Sequence, residues 1–341
     1  MEETRISDAH YIEEQDQDEK TLRPRMLKEF VGQEKLKTNL AVFIKAAKKR
    51  GECLDHVFFS GPPGLGKTTL ASIIANELGS EIRATAAPAL EKAGDLAAIL
   101  TAVGKNNIFF IDEIHRLKPV IEEMLYTAME DYKIDVVIGQ GPGARNIKIP
   151  LEPFTLVGAT TRPGLISRPL HDRFGIRARL DYYKVENITE IVIRSARILA
   201  VEIEKQATEL IAKCARGTPR VANRILRRMR DFAEVWSNGS IGVDIVRRGL
   251  ASLEIDELGL DKLDREILKA IILKYSGGPV GCETLAISVG ESVETIEDVY
   301  EPYLIQKGFL MRTPRGRMVT ENAYKHLKLK KKRHEDQGIL F

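Results

Sequence analysis

Val57-Phe58-Phe59, followed by Gly61-Pro62-Pro63-Gly64-Leu65-Gly66-Lys67-Thr68, is an apolar run that leads into the pattern G-x-x-x-x-G-K-[ST]. That is the order of a strand, a phosphate-cradling loop and a helix. Glycines suit such a loop because its backbone N–H groups must approach phosphate oxygens and some of its residues must take φ > 0. Lys67 and Thr68 then stand at a helix N-terminus, where the dipole adds positive potential. In this pattern the lysine neutralises the β- and γ-phosphates and the threonine hydroxyl ligates Mg2+.

Outward from the loop, apolar positions Leu36, Leu40, Phe43, Ile44 and Ala47 predict a helix over Glu34 to Arg50, in front of the first strand. The loop helix runs through Leu70, Ile73, Ile74 and Leu78 to Gly79, a residue suited to a C-terminal cap. A second helix falls within Asp95 to Val103. Ile108-Phe109-Phe110-Ile111 reads as a strand buried on both faces, and it ends in Asp112-Glu113, where open α/β sheets place their ligands. Two adjacent carboxylates there suit two tasks. Asp112 would hold Mg2+ through its water shell, and Glu113 would polarise the water that attacks the γ-phosphate. The second acid favours an ATPase over a regulatory GTPase. His115 reads as a surface imidazole in preference to a sensor. A helix follows over Glu122 to Glu130, then a hairpin over Tyr132 to Ile149 turning around Gly139, Gly141, Pro142 and Gly143.

Phe154 to Val157 supplies another buried strand, ending Gly158-Ala159-Thr160-Thr161-Arg162. A hydroxyl there could report the nucleotide state, with Thr161 preferred over Thr160. In Pro169-Leu170-His171-Asp172-Arg173-Phe174 an arginine can clamp a transition state because it keeps its proton, and Arg173 is preferred over Arg168 only because its Asp172-Arg173-Phe174 setting resembles a known arrangement. Strands alternating with helices predict an α/β fold with a parallel sheet.

Beyond about Tyr183 consecutive helices predict a small all-helical segment. In Gly217-Thr218-Pro219-Arg220, Thr218 is a natural N-cap and Pro219 a natural first helical residue. Arg220 in that first turn opposes the helix dipole unless an anion is near, and nucleotide phosphates would supply one. Further on, three helical stretches precede Phe309-Leu310-Met311 and Met318-Val319-Thr320, which flank Arg312-Thr313-Pro314-Arg315-Gly316-Arg317. Ser292 can cap the third helix, Pro302 should kink it and Gly308 should stop it. Three helices and a basic-tipped hairpin describe a winged helix, whose Arg312, Arg315 and Arg317 suit phosphate or minor-groove contact with DNA.

The predicted layout is an acidic mobile leader (1–20), an ATPase domain (21–183), a helical lid (184–255), a winged-helix head (256–330) and a basic tail (331–341). Charged residues at 30% and the absence of a long apolar run exclude a membrane span, and residues 1–20 lack a signal-peptide pattern. Three widely spaced cysteines, Cys53, Cys214 and Cys282, form neither a C-x-x-C pair nor an even set, which fits reduced thiols in a cytoplasm. Net charge is only +3, but bases crowd the C-terminal half, so an anionic partner belongs there. The lysine-rich tail reads as a disordered, solvated end.

GPPGLGKTT, IDEIHRL, GATTRPG, PLHDRFG, GTPRVANR and RTPRGR in this order resemble the bacterial RuvB family of AAA+ ATPases, which migrate the branch point of Holliday junctions. The likeness runs from about Leu22 to Leu327 and departs at Ala86-Ala87 and Lys92-Ala93, outside the catalytic positions. It implies ATP and Mg2+ as cofactors, with Gly64, Lys67, Thr68 and Thr69 on the phosphates, Arg173 as a finger acting on the neighbouring subunit and Arg220 as a second sensor. It also assigns Leu22, Arg23, Glu130, Asp131, Tyr132 and Tyr183 to the nucleotide site, and Arg312 and Arg317 to DNA. A homohexameric ring on duplex DNA is implied, working with RuvA and the RuvC resolvase in recombination, repair and the SOS response. RuvA would dock on the 132–149 hairpin through Ile134, Val136 and Ile138, although those residues also fit an ordinary surface hairpin. Within the enzyme class the alternative is another AAA+ remodeller, and outside it an ATP-switched winged-helix DNA-binding regulator.

Overall fold

The computed structural model describes residues 21–138 and 145–330. The leader (1–20), the hairpin turn with Gly139, Gly141, Pro142 and Gly143, and the tail (331–341) lie outside the described residues. The chain forms two compact units, Met1–Leu199 and Ala200–Phe341.

The first unit is built on five parallel strands: β1 (Val57–Ser60), β2 (Ile82–Ala86), β3 (Ile108–Asp112), β6 (Thr155–Thr160) and β7 (Ile176–Arg179), in the order β2-β3-β6-β1-β7. The three central strands are the apolar runs of the sequence, and β1 and β6 are buried at every position. Helices accompany them, α1 (Glu34–Arg50), α2 (Lys67–Leu78), α3 (Ala93–Thr101), α4 (Pro119–Asp131) and α5 (Arg168–Asp172), and α6 (Val185–Ile198) follows β7 in the chain. Gly79 caps α2 with φ 72°, as the sequence predicts. Phe58, Phe109, Leu125, Phe154 and Phe174 share one core, and removing a ring such as Phe154 would cost about 3–5 kcal/mol.

The antiparallel hairpin β4 (Lys133–Ile138) and β5 (Arg145–Pro150) pairs Ile134 with Ile149. Ile134 is fully buried in the sheet unit's core and Val136 packs against it, so Ile134 is not a surface contact for a partner, contrary to expectation. The side chain of Ile138 lies outside the described residues. Ile147, on the same hairpin, is exposed.

The second unit opens with α7 (Lys205–Cys214), α8 (Pro219–Trp236) and α9 (Val243–Ser252). In α8, Ala222, Ile225, Leu226, Met229 and Ala233 are buried at helical spacing, which turns its arginines outward. Next come α10 (Lys262–Lys274), α11 (Cys282–Val289), and α12 (Val293–Thr295), which runs through a π-turn, Ile296–Tyr300, into α13 (Glu301–Gln306). Ser292 Oγ caps α12 by accepting the Thr295 N–H at 3.0 Å. The kink expected at Pro302 takes the form of that π-turn. β8 (Leu310–Thr313) and β9 (Gly316–Val319) form the wing, and α14 (Glu321–His326) closes the chain's described part. Arg216, at φ 56°, bonds to the Gly259 carbonyl at 2.7 Å, to Asp261 at 3.0 Å and to buried Asp264 at 2.5 Å, tying the end of α7 to the start of α10.

Candidate nucleotide site at the carboxyl edge of the sheet

All five strands run the same way, so their carboxyl ends share one edge, and the phosphate loop leaves β1 there. Gly61, Gly64 and Gly66 take φ of 140°, 78° and 102°. At Gly61 a Cβ would fall 2.4 Å from the Leu180 carbonyl oxygen, so only glycine lets the loop pass the end of β7. The Gly61 N–H donates to the Thr160 carbonyl at 3.2 Å and the Leu180 N–H to the Ser60 carbonyl at 2.8 Å, anchoring the loop to both neighbours of β1. Lys67 is buried, and its Nζ donates to the carbonyls of Gly61 at 2.7 Å and Pro62 at 3.0 Å. Thr68 and Thr69 follow in the first turn of α2.

The chain before α1 and after β7 walls the loop. The Tyr183 hydroxyl donates to the Leu65 carbonyl at 3.1 Å, and burial pushes that phenol well above its ordinary pKa, keeping it a donor. Phe30 packs against Gly66, and Gly32 lies under the Tyr183 ring. Leu22 is buried, with its carbonyl accepting from Arg194 Nη1 at 2.7 Å, while Arg23 is half-buried. Phe30 carries no polar group that could mark it in the sequence.

Asp112 and Glu113 stand at the end of β3, on the same edge. Glu113 adopts φ 48°, a left-handed conformation that a non-glycine residue avoids, and its N–H bonds to Asp112 Oδ1 at 3.0 Å. Its Oε2 accepts from the Thr161 hydroxyl at 3.1 Å and the Thr161 N–H at 3.3 Å. His115 Nδ1 lies 3.1 Å from the same oxygen and 2.9 Å from Thr160 Oγ1. The expected surface imidazole is therefore corrected: only 9% of the His115 side chain is exposed, because a 3₁₀ turn (Ile114–Arg116) folds it back onto β6. Thr160 and Thr161 both reach the acid cluster, Thr160 through His115 and Thr161 directly. Thr68 and Asp112 offer hard oxygen donors on one edge, a set that fits Mg2+.

Arg173, Glu130, Asp131 and Tyr132 are not brought to this edge within the chain. Arg173 precedes β7, whose first residue, Ile176, donates its N–H to the His56 carbonyl at the opposite, amino edge. Buried His56 holds the end of α4 there through its Nε2 and the Met129 carbonyl at 3.1 Å, while Nδ1 accepts the Leu156 N–H at 2.9 Å. Burial pushes its imidazole below the ordinary range, and it stays neutral. Arg173 Nη2 pairs with Glu130 at 3.1 Å, its Nη1 donates to the Pro169 carbonyl at 2.8 Å, and the guanidinium stacks 4.6 Å from the Tyr126 ring centroid. Tyr132 packs edge-on against Phe154. A strand of four residues separates the two edges by roughly 13 Å or more.

In the second unit Arg220 is exposed in the first turn of α8. Thr218 occupies the N-cap position without capping, because its hydroxyl donates backward to the Ala215 carbonyl at 3.0 Å. The wing differs more from expectation. Arg317 is buried and bonds to Glu297 at 2.6 Å and Glu301 at 3.0 Å, and the half-exposed Arg312 bonds to Glu297 at 2.8 Å. Arg317 is thus committed inside the head and not presented to solvent, while Arg315 at the wing tip is exposed.

Residues 22–180 match the family model of the Holliday junction DNA helicase RuvB P-loop domain, residues 183–256 that of the RuvB AAA lid domain and residues 257–328 that of the RuvB C-terminal winged helix domain. The chain is 64% identical over 319 residues to the Holliday junction branch migration complex subunit RuvB of Treponema denticola, with 93% of each protein covered. It is 61% identical over 314 residues to the subunit of the same name from Treponema pallidum, covering 92% of this chain and 90% of that one. A solved structure of the Thermotoga maritima RuvB Holliday junction branch migration motor superposes with a TM-score of 0.84 at 53% identity, covering 91% of this chain and 99% of that one.

Proposed function

Because the chain belongs to the RuvB family, we propose that it is an ATP-driven motor that translocates duplex DNA and drives branch migration of Holliday junctions. Its layout is an ATPase domain over 21–183, a lid over 184–255 and a winged-helix head over 256–330, between the leader (1–20) and the tail (331–341). Gly64, Lys67, Thr68 and Thr69 hold the phosphates, and Leu22, Arg23 and Tyr183 wall the base and ribose. Thr68 and Asp112 would hold Mg2+, which supplies charge neutralisation on the β- and γ-oxygens. Glu113 orients and polarises the attacking water, and Thr161, bonded to that carboxylate, senses the γ-phosphate.

The position of Arg173 on the edge opposite Lys67 and Glu113 carries this reading. An arginine there, paired with Glu130, is out of reach of its own nucleotide and is well placed to serve a neighbouring copy. In this reading the AAA+ subunits form a homohexameric ring with shared sites. Glu130, Asp131 and Tyr132 would join the neighbour's site with it. Arg220, in the lid, would carry the nucleotide state to the head, and Arg315, with Arg312 beside it, would hold the DNA backbone. RuvA would dock on the hairpin through exposed residues such as Ile147, with RuvC joining the resolving complex. Such a motor works in the cytoplasm, and among the described residues no helix is long and apolar enough to cross a membrane.

The test is ATP-dependent dissociation of a synthetic four-way junction with RuvA present. Glu113→Gln should abolish dissociation while ATP binding persists. ATP consumption by the parent chain with the crossover left stationary would overturn the motor reading.

A further inference from the structure

His115 is absorbed by none of the roles assigned above, yet its side chain is almost wholly enclosed and one ring nitrogen meets two groups of the acid cluster. Nδ1 lies 3.1 Å from Glu113 Oε2, and because a carboxylate oxygen only accepts, the pair is attractive in the form of the ring that carries a proton on Nδ1. The same nitrogen is hydrogen-bonded to Thr160 Oγ1 at 2.9 Å, with ring and hydroxyl each able to donate. Thr160 Oγ1 also accepts the Arg162 N–H at 3.0 Å, which fixes the hydroxyl at the end of β6. The Thr161 N–H and hydroxyl both donate to Oε2 with His115 Nδ1 beside them, so the other oxygen of Glu113 is the one left to address a water.

The surrounding backbone is arranged for this contact. The left-handed Glu113 turns the chain back at the end of β3, and the Arg116 N–H closes the turn on the Glu113 carbonyl at 2.8 Å. Ile114 then packs where β6 has no side chain: a Cβ on Gly158 would fall 2.8 Å from Ile114 Cδ1. A side chain at 158 would have to push that methyl group and the Phe174 ring aside.

We infer that His115 is a positioning residue for hydrolysis, its Nδ1–H locking the Glu113 carboxylate to the threonines at the end of β6, so that base and phosphate sensor hold one register. This rests on Glu113 being the base. The imidazole needs no net charge to do it.

The experiment compares His115→Ala, His115→Asn and His115→Gln with Glu113→Gln as control, by steady-state ATP hydrolysis on duplex DNA at saturating ATP. An asparagine amide nitrogen takes the place of Nδ1, whereas a glutamine amide nitrogen takes that of Nε2. His115→Ala should lower kcat about 10- to 100-fold, the range seen when an outer partner of a catalytic group is removed. The KM for ATP and the affinity for a fluorescent ADP analogue should change by less than about twofold, since no uniform binding is lost. Asn should restore most of kcat and Gln should not. Equal impairment by Asn and Gln would reduce His115 to packing and overturn the inference, and that comparison decides even if the alanine variant fails to fold. A parental kcat in His115→Ala beside an inactive Glu113→Gln overturns this inference alone, whereas hydrolysis surviving in Glu113→Gln overturns the base assignment and this inference together.

Discussion

Arg173 is held by Glu130 through a 3.1 Å ion pair at the amino edge of the sheet, across the strands from the phosphate loop. The guanidinium is thereby fixed by its own chain, with the Tyr126 ring beneath it and the Pro169 carbonyl at its side. Two predictions follow from the pair's position and exposure.

Arg173→Ala should reduce ATP hydrolysis in assembled rings by roughly 10³-fold or more with ATP binding retained. Mixed rings of Arg173→Ala and Glu113→Gln should regain activity, because some interfaces then join an intact base to an intact arginine. Hydrolysis measured across mixing ratios checks this, and a strictly additive, inactive mixture would place both groups in one subunit's site. Glu130→Gln, by contrast, removes only a partly exposed pair worth about 0.2–1 kcal/mol, so the melting temperature should barely move.

Glu301 is 2% exposed and is bonded to the buried Arg317. Glu301→Ala removes one of the two carboxylates on that guanidinium and leaves Glu297 at 2.6 Å, so the cost should fall short of the roughly 3–5 kcal/mol of a buried charge left wholly unpaired. Differential scanning calorimetry should show loss of the head's transition at lower temperature.

Arg315→Ala should leave melting unchanged but weaken binding to duplexes of every sequence alike, lowering the slope of log K against log salt by about 1. Fluorescence anisotropy over a salt series measures it. A sequence-dependent loss would contradict a backbone contact.

Burial lifts the Asp264 carboxyl to about 7, outweighing the downward pull of Arg216, with Asp261 pushing the same way as burial. The unfolded carboxyl ionises near about 3.9. Between about pH 4 and 7 the folded chain therefore keeps a proton that the unfolded chain has released, and this contribution to stability is lost as pH rises through 7. Asp264→Asn should flatten that slope, as read from the melting temperature against pH.

Gly158→Ala should displace Ile114 and with it His115, lowering kcat more than it raises the KM for ATP. Steady-state kinetics with a melting curve separates this from simple unfolding.

The phosphate loop, the acid pair and the central strands were legible because each pairs a chemical motif with an uninterrupted apolar run. The edge strands β2 and β7 were not: β2 is nowhere fully buried and β7 buries only Ile176, so Ile82–Ala86 and Ile176–Arg179 carry no continuous apolar signal. His115 was misread because its burial comes from contact with β6, some 45 residues away in sequence. Arg317 looked solvated because its acidic partners, Glu297 and Glu301, sit on the preceding helix and announce nothing about direction. Ile134 looked like a docking residue because alternation in a hairpin tells which side chains share a face but not which face meets the core.

The parting of Arg173 from Lys67 onto opposite flanks has a consequence for regulation. On the proposed reading, a solitary protomer would keep its own site at one flank and the trigger for another's at the other, and would stay idle. Turnover would then rise with crowding of the chains, and fuel would be spent only where a closed circle had already gathered.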